Sequence, residues 1–406
     1  MGLIFKNDLH DEFGSSPLAY TPYGGPDFGE VLAVARAVGD GDDNAFYDCW
    51  MTAADRLVSE AESAMIQGRQ ASARDLFLRA SCFYSSSYRP LYGEPVDPRL
   101  VAAFRKQMDT FNKGLALSDI PIEPLRIQFA DTTLPAYLIP AVGQRNDPRP
   151  LVIQTNGYDA TVTDMYFGSA VAASRRGYHC LIFDGPGQGE MLIEHDVRLR
   201  PDWETVVRAV VDAAVTIPIV DATRIALSGW SLGGYLAPRA ASGEHRLSAC
   251  IADPGLWSIA SGLRGYAVKL GVSPEALVNI GEIDEGLLNR IWQIITNDRR
   301  LWWSIVQRGF WVNGVKNLRD YLRCIEEFTM DGRADQIRCP ILLTQAEEDS
   351  LAADALAFFD ALRCQKGFIR FTSAEGAGDH CEMKNRSLLN RRVFDWLDMT
   401  LRSKSH

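Results

Sequence analysis

A chain of 406 residues is longer than one typical core, so a large domain with a smaller companion is expected. An apolar content of 47% and a charged content of 23% are those of an ordinary globular protein and exclude a disordered or fibrous chain. A formal net charge of −10, with no Lys/Arg block to offset it, excludes nucleic acid and anionic membrane surfaces as main partners.

Residues 1–25 are rich in Gly, Pro and Ser with interleaved aromatics and read as an arm lying on another surface. The opening MGLIFKNDLHDEF lacks a signal-peptide apolar stretch, and Lys6 stands where a myristoylation signal wants Ser or Thr. No segment reaches the about 18 consecutive apolar residues of a membrane span. The eight Cys are scattered without Cys-x-x-Cys spacing, so reduced, buried thiols in a cytoplasmic protein are expected.

From about Asp27 to Thr110 the pattern is helical. CWMTAADRLVSEAESAMIQG repeats apolar residues at three- and four-residue intervals and stops at Gly68, QASARDLFLRASCFYSSSY follows as the second arm of an αα-hairpin, and DPRLVAAFRKQMDTFNKGL adds a further helix. This gives a helical N-terminal domain over 1–118, followed by a second unit over 119–406. There Leu125–Ala130 and Leu134–Pro140 predict a hairpin. Short β-rich runs follow at Leu151–Thr155, Cys180–Phe183, Arg224–Ser228, Cys250–Ala252, Ile341–Thr344 and Gly367–Thr372. Helix-period segments such as Trp203–Thr216, Ala352–Arg363 and Ser387–Leu401 separate most of them, which argues for a mostly parallel, doubly wound α/β sheet. About 256–335 breaks the rhythm with helical pattern and large aromatics, and reads as a helical lid over the C-terminal sheet edge.

Within this frame, Gly229-Trp230-Ser231-Leu232-Gly233 lies between an apolar strand and a helix start. A sharp strand-to-helix turn strains its central residue and leaves no room for a Cβ two positions away on either side. Ser231 is therefore the candidate nucleophile, and it needs a base, a carboxylate behind the base, and oxyanion donors. Of six His, His10 and His406 fall in termini read as floppy, while His179 and His245 read as structural or solvated. His195 stands in a loop and stays open. His380, in the Gly-rich SAEGAGDHCEMKNRS after the last strand, is the preferred base. The acid is Asp349 in TQAEEDS, with Glu347, Glu348 and Asp253 as competitors; Asp379 adjoins the base and is poorly placed to serve it.

Oxyanion donors are expected from the backbone N–H groups of Leu232, at the helix start, and Tyr158, after the early strand in TNGYDAT. Asp159, Trp230, Trp257, Trp302, Trp303 and Trp311 are the candidate substrate-pocket residues. In LIFDGPGQGE the dinucleotide fingerprint fails at Glu190, and MLIEHDVRLRPDW after it reads as loop. No cofactor and no metal site are expected, and the partner is a small-molecule substrate.

NGYDAT, FDGPGQGE, GWSLGGY, IRCPILLTQAEED and EGAGDHCE with RVFDWL together resemble the α/β-hydrolases related to 2,6-dihydroxypseudooxynicotine hydrolase and to fungal polyketide-shortening hydrolases. The likeness runs from about residue 119 to 401. It implies the α/β-hydrolase fold with a helical domain beside it, and hydrolysis of a C–C bond next to a ketone or of an ester. It also implies a triad of Ser231, Asp349 and His380 and oxyanion donors Leu232 and Tyr158; apart from the resemblance, the partner expectation leaves a homodimer open. The competing expectations are a general carboxylesterase or acylaminoacyl-peptidase-like hydrolase, an acyltransferase, and a non-catalytic binding protein on the same fold.

Overall fold

The computed structural model describes residues 2–143, 147–269 and 271–401; His406 lies outside them. Five helices come first: α1 (Asp8–Ser15), α2 (Phe28–Val38), α3 (Asp43–Ile66), α4 (Gln70–Ser87) and α5 (Pro98–Ala116). Helix α3 packs on α4 and α4 on α5. The turn between α3 and α4 passes through Gly68 at φ +71°, a left-handed position that Gly occupies without a Cβ penalty.

The N-terminal residues correct the reading of an arm. Asn7 caps α1 by accepting from the N–H groups of Leu9 and His10, and Asp11 accepts from those of Leu3, Ile4 and Phe5. Phe5, Leu9 and Phe13 are buried, and so is His10, whose Nε2 lies 2.9 Å from Asp43 Oδ1. A helix of two turns held by side-chain caps leaves too short a periodic signal to stand out among Gly, Pro and Ser.

Eight strands form one sheet: β1 (Leu125–Phe129), β2 (Thr132–Ile139), β3 (Arg149–Thr155), β4 (His179–Phe183), β5 (Val220–Trp230), β6 (Ala249–Asp253), β7 (Ile341–Ala346) and β8 (Lys366–Phe371), in the spatial order β1-β2-β4-β3-β5-β6-β7-β8. β1 and β2 pair antiparallel, β2 is antiparallel to β4, and the rest are parallel. Every residue of β4 and β6 is buried, as strands covered on both faces require. The chain moves outward from β3 to β4 and then crosses back to β5 on the other side of β3. The β3/β5 boundary is thus the topological switch point, where open α/β sheets bind ligands beyond their strand ends.

Helices and sheet share one apolar core, which runs from Phe5, Trp50 and Phe104 through Leu151, Leu181 and Leu227 to Leu343. Between β6 and β7 the described residues hold helices Ile259–Lys269, Glu285–Asn297 and Leu318–Glu326 and a π-helical run Trp302–Phe310, with a core of their own; their only strand-like pairing is a bridge between Ser258 and Thr329. After β4, Gly189–Ile193 forms a short helix where the sequence reads as loop. Five residues are too few to display a period, so only the contacts decide.

Candidate active site

Strand β5 ends at Trp230 and the next helix, Gly233–Ala241, begins three residues later. Ser231 sits between them at φ +57°, a conformation that costs a non-Gly residue energy and persists only where its surroundings enforce it. The flanking glycines show why the turn closes so tightly. A Cβ on Gly229 would lie 2.0 Å from Gly233 O, and one on Gly233 would lie 2.8 Å from Thr155 O. The Ser231 N–H donates to Asp253 O at 2.6 Å, which ties the turn to the end of β6.

Beside it, the loop after β3 folds back on itself. Asn156 Oδ1 accepts from Gly157 N, Asn156 Nδ2 donates to Ala160 O, and Gln188 Nε2 donates to the carbonyls of Asn156 and Gly157. A Cβ on Gly157 would come within 2.9 Å of Ser231 Cβ, so this loop lies directly against the serine. Among the described residues, neither the Leu232 N–H nor the Tyr158 N–H has a hydrogen-bond acceptor.

The structure brings three of the sequence candidates into one chain of contacts. His380 Nε2 is 2.9 Å from Ser231 Oγ, and His380 Nδ1 is 2.7 Å from Asp349 Oδ2. Asp349 is buried after β7, and its second oxygen accepts from Leu351 N at 2.9 Å, which fixes the carboxylate. Glu348 N donates to Gly378 O, so the acid loop and the Gly-rich loop brace each other. Burial pulls the His380 pKa down, but the Cys381 sulfur, 3.4 Å from Nε2, and the Asp349 carboxylate push harder and raise it well above the ordinary imidazole value.

The competing residues are engaged elsewhere. Glu347 and Glu348 accept from Ser373, Asp253 accepts from Thr344 and Arg386, and Asp379 accepts from Lys384 N. His195 lies 3.3 Å from Glu190 at the surface, His179 accepts from Ala141 N, and His245 contacts Ser242 O.

Ser231 and His380 open onto a cavity with two parts. One, of about 430 Å³, is walled by Tyr158, Leu256, Leu263, Trp303 and Arg308; the other, of about 150 Å³, by Tyr20, Arg89, Asp159 and Trp230. Trp230, Trp303 and Asp159 thus reach the cavity, and three other pocket candidates do not. Trp257 donates to Asp331 and packs edge-on to Phe358, Trp302 packs on Trp292 in the helical segment between β6 and β7, and Trp311 is buried against Tyr92. Each finds an apolar neighbour before it can reach the cavity. The sequence reading did not single out Arg308, Arg89, Tyr20 or Cys381. Only Cys381, adjoining His380, had a local signal. Among the described residues, no group of His, Cys, Asp and Glu is arranged to hold a metal ion.

Under the serine turn, Glu382 is buried, and among the described residues no N–H donor reaches either carboxyl oxygen. Burial first, and then the neighbouring Asp253 carboxylate, raise its pKa well above 4.5. A carboxyl with a raised folded pKa holds its proton more tightly in the native state. Its stabilising contribution is therefore complete below the unfolded value and is lost as pH rises toward the folded one. Glu382→Gln is expected to gain stability relative to the unsubstituted protein by up to about 1.4 kcal/mol per pH unit above pH 4.5. Urea midpoints of both proteins from acid to mildly alkaline pH test this, and a pH-independent difference refutes it.

A model of the alpha/beta hydrolase family matches residues 155–384, more than half of the sequence. The chain belongs to this family. A second model, described as esterase FrsA-like, matches residues 36–257 of this hydrolase. The hydrolase is similar to 20-hydroxy-prefusarin hydrolase FUS2 of Gibberella moniliformis, 31% identical over 100% of this chain and 99% of that protein. It is also similar to hydrolase acrC of Aspergillus aculeatus, 32% identical over 94% of each. Among solved structures, 2,6-dihydroxy-pseudo-oxynicotine hydrolase superposes with a TM-score of 0.74 at 20% identity, covering 96% of this chain and 97% of that one, which shows a common fold.

Proposed function

We propose that this hydrolase cleaves an aromatic or polyketide-like carbonyl compound through an acyl-enzyme on Ser231. His380 Nε2 takes the Ser231 proton as Oγ attacks the carbonyl carbon, and Asp349 holds the tautomer with Nδ1 protonated and stabilises the imidazolium. The N–H groups of Leu232 and Tyr158, both free of protein acceptors among the described residues, bind the oxyanion, with the dipole of helix Gly233–Ala241 behind Leu232. His380 then protonates the leaving group, and water, deprotonated by the same imidazole, hydrolyses the acyl-serine.

The observation that carries this reading is the 2.9 Å and 2.7 Å relay from a serine at φ +57° to a buried carboxylate, on a cavity wall. The relative named for hydrolysing 20-hydroxy-prefusarin supports a small organic substrate. Eight unpaired cysteines support a reducing, cytoplasmic setting, and no described helix is long and apolar enough to cross a membrane.

A fluorophosphonate probe is expected to label the wild type on the Ser231 peptide and to leave Ser231→Ala unlabelled. Equal labelling of both proteins by mass spectrometry refutes the nucleophile assignment. The match to an esterase model supports a second reading with an oxygen leaving group on the same serine. Parallel assays with nitrophenyl esters and a β-diketone separate the two.

A further inference from the structure

A cation stands in the cavity wall, and the relay just described gives it no task. Arg308 lies on the π-helical run Trp302–Phe310, and such turns gather at functional sites. It borders both parts of the cavity together with Ser231 and His380. Its guanidinium carbon lies 4.7 Å from the ring centre of Tyr158 and 5.0 Å from that of Trp303, an arrangement that holds the group in place without using its N–H donors.

Those donors are nearly all unused. Arginine carries five N–H groups; among the described residues Arg308 makes one hydrogen bond, from Nη1 to Asp159 Oδ2 at 3.3 Å, and its Nε is buried with no acceptor. Asp159 is shared with Arg89 at 3.7 Å, and Arg89 also meets Asp164 at 3.3 Å, so two cations and two carboxylates balance. Trp303 Nε1 donates to Arg89 O at 2.8 Å, which fixes the lid to the helical segment at this point. A locally neutral junction with idle donors suits an uncharged oxygen that turns negative during reaction, because its donors are already oriented when the charge develops.

We propose that Arg308 binds a second acceptor oxygen of the substrate, on the leaving-group side of the carbonyl that Ser231 attacks; this rests on the nucleophile reading above. When the bond between the attacked carbonyl carbon and its α-carbon breaks, the electron pair passes into the departing fragment as an enolate, whose oxygen lies against Arg308. The proton that His380 took from Ser231 goes to the enolate carbon and releases a neutral ketone. Water then converts the acyl-serine into a carboxylic acid and free Ser231. Arg308 thereby selects substrates with an oxygen acceptor beyond the scissile bond.

The test is binding to Ser231→Ala protein, which removes turnover. Benzoylacetone and its monoketone counterpart butyrophenone are titrated by calorimetry and followed by ultraviolet absorption. With Arg308 present, benzoylacetone is expected to bind at least about tenfold tighter than butyrophenone and to show its enolate band below its solution pKa. With Arg308→Gln added, the preference falls to within about twofold and the band disappears, while butyrophenone affinity reports an intact cavity. Arg308→Lys keeps the charge but not the planar fork and carries the same comparison if the Gln variant fails to fold. An unchanged preference and band in these variants, or no preference with Arg308 in place, overturns the proposal. Neither readout needs a nucleophile, so a failure of fluorophosphonate labelling would count against Ser231 alone and leave the role of Arg308 to the titrations.

Discussion

Replacing His380 by Ala is expected to lower kcat about a millionfold, and Asp349→Asn about ten-thousandfold, with the fold intact in both. A serine hydroxyl holds its proton at neutral pH, so attack depends on the imidazole 2.9 Å away. Asp349→Asn keeps the volume behind the ring but offers an amide donor to Nδ1, which favours the wrong tautomer. Combining either substitution with Ser231→Ala should add almost nothing, as the proposed relay requires of three groups that work as one unit.

The pH profile carries an independent sign. His380 must be neutral to act as base, and its raised pKa places the rising limb of kcat/KM above the ordinary imidazole value of 6.5. Asp349→Asn removes one of the groups holding that pKa up, so the limb should move to lower pH while the plateau falls. Burial raises the Cys381 thiol pKa, which disfavours it as a substitute nucleophile. Steady-state kinetics with an activated ester across this pH range test the set. A His380→Ala protein that keeps more than about one percent of wild-type kcat refutes the base assignment.

What the sequence made legible here follows the range of the forces involved. The serine turn is a short-range steric problem, and Gly229 and Gly233 announce it because their neighbours leave no space for a Cβ. Ser231, Asp349 and His380 each follow a β-rich run, and parallel strands deliver all such loops to one sheet edge, so strand order in the sequence was enough to bring them near one another. Arg308 was illegible because its partner Asp159 is 149 residues away and the fold of the helices between β6 and β7 had to be known first. The tryptophans mark the same boundary. Trp303 and Trp311 sit on one helical stretch with the same apolar chemistry and both pack on Tyr92, yet of the two Trp303 alone also borders the cavity. A π-helical run shifts the facing of every later residue, and periodicity at 3.6 cannot anticipate it.

Arg386→Met is expected to cost about 3–5 kcal/mol of stability, the range seen when one member of a buried ion pair is removed. Arg386 is 4% exposed, and its Nη1 donates to Asp253 Oδ2 at 3.0 Å and to Cys381 O at 2.8 Å. Its guanidinium also lies 4.1 Å from the ring centre of Trp230. Methionine fills much of the space but leaves the Asp253 carboxylate without its cation, beside a second buried carboxyl at Glu382. If the penalty is that stranded charge rather than lost packing, Arg386→Met with Asp253→Asn should recover most of it, and the two substitutions should be far from additive. Urea unfolding with an unchanged slope measures the loss. A single-variant cost below about 1 kcal/mol, or an additive double variant, shows that the pair contributes only packing. The damage should extend to catalysis as well. Asp253 O accepts the Ser231 N–H at 2.6 Å and Cys381 follows His380 directly, so this one guanidinium holds the strand end behind Ser231 and the loop that carries His380 in a fixed relation.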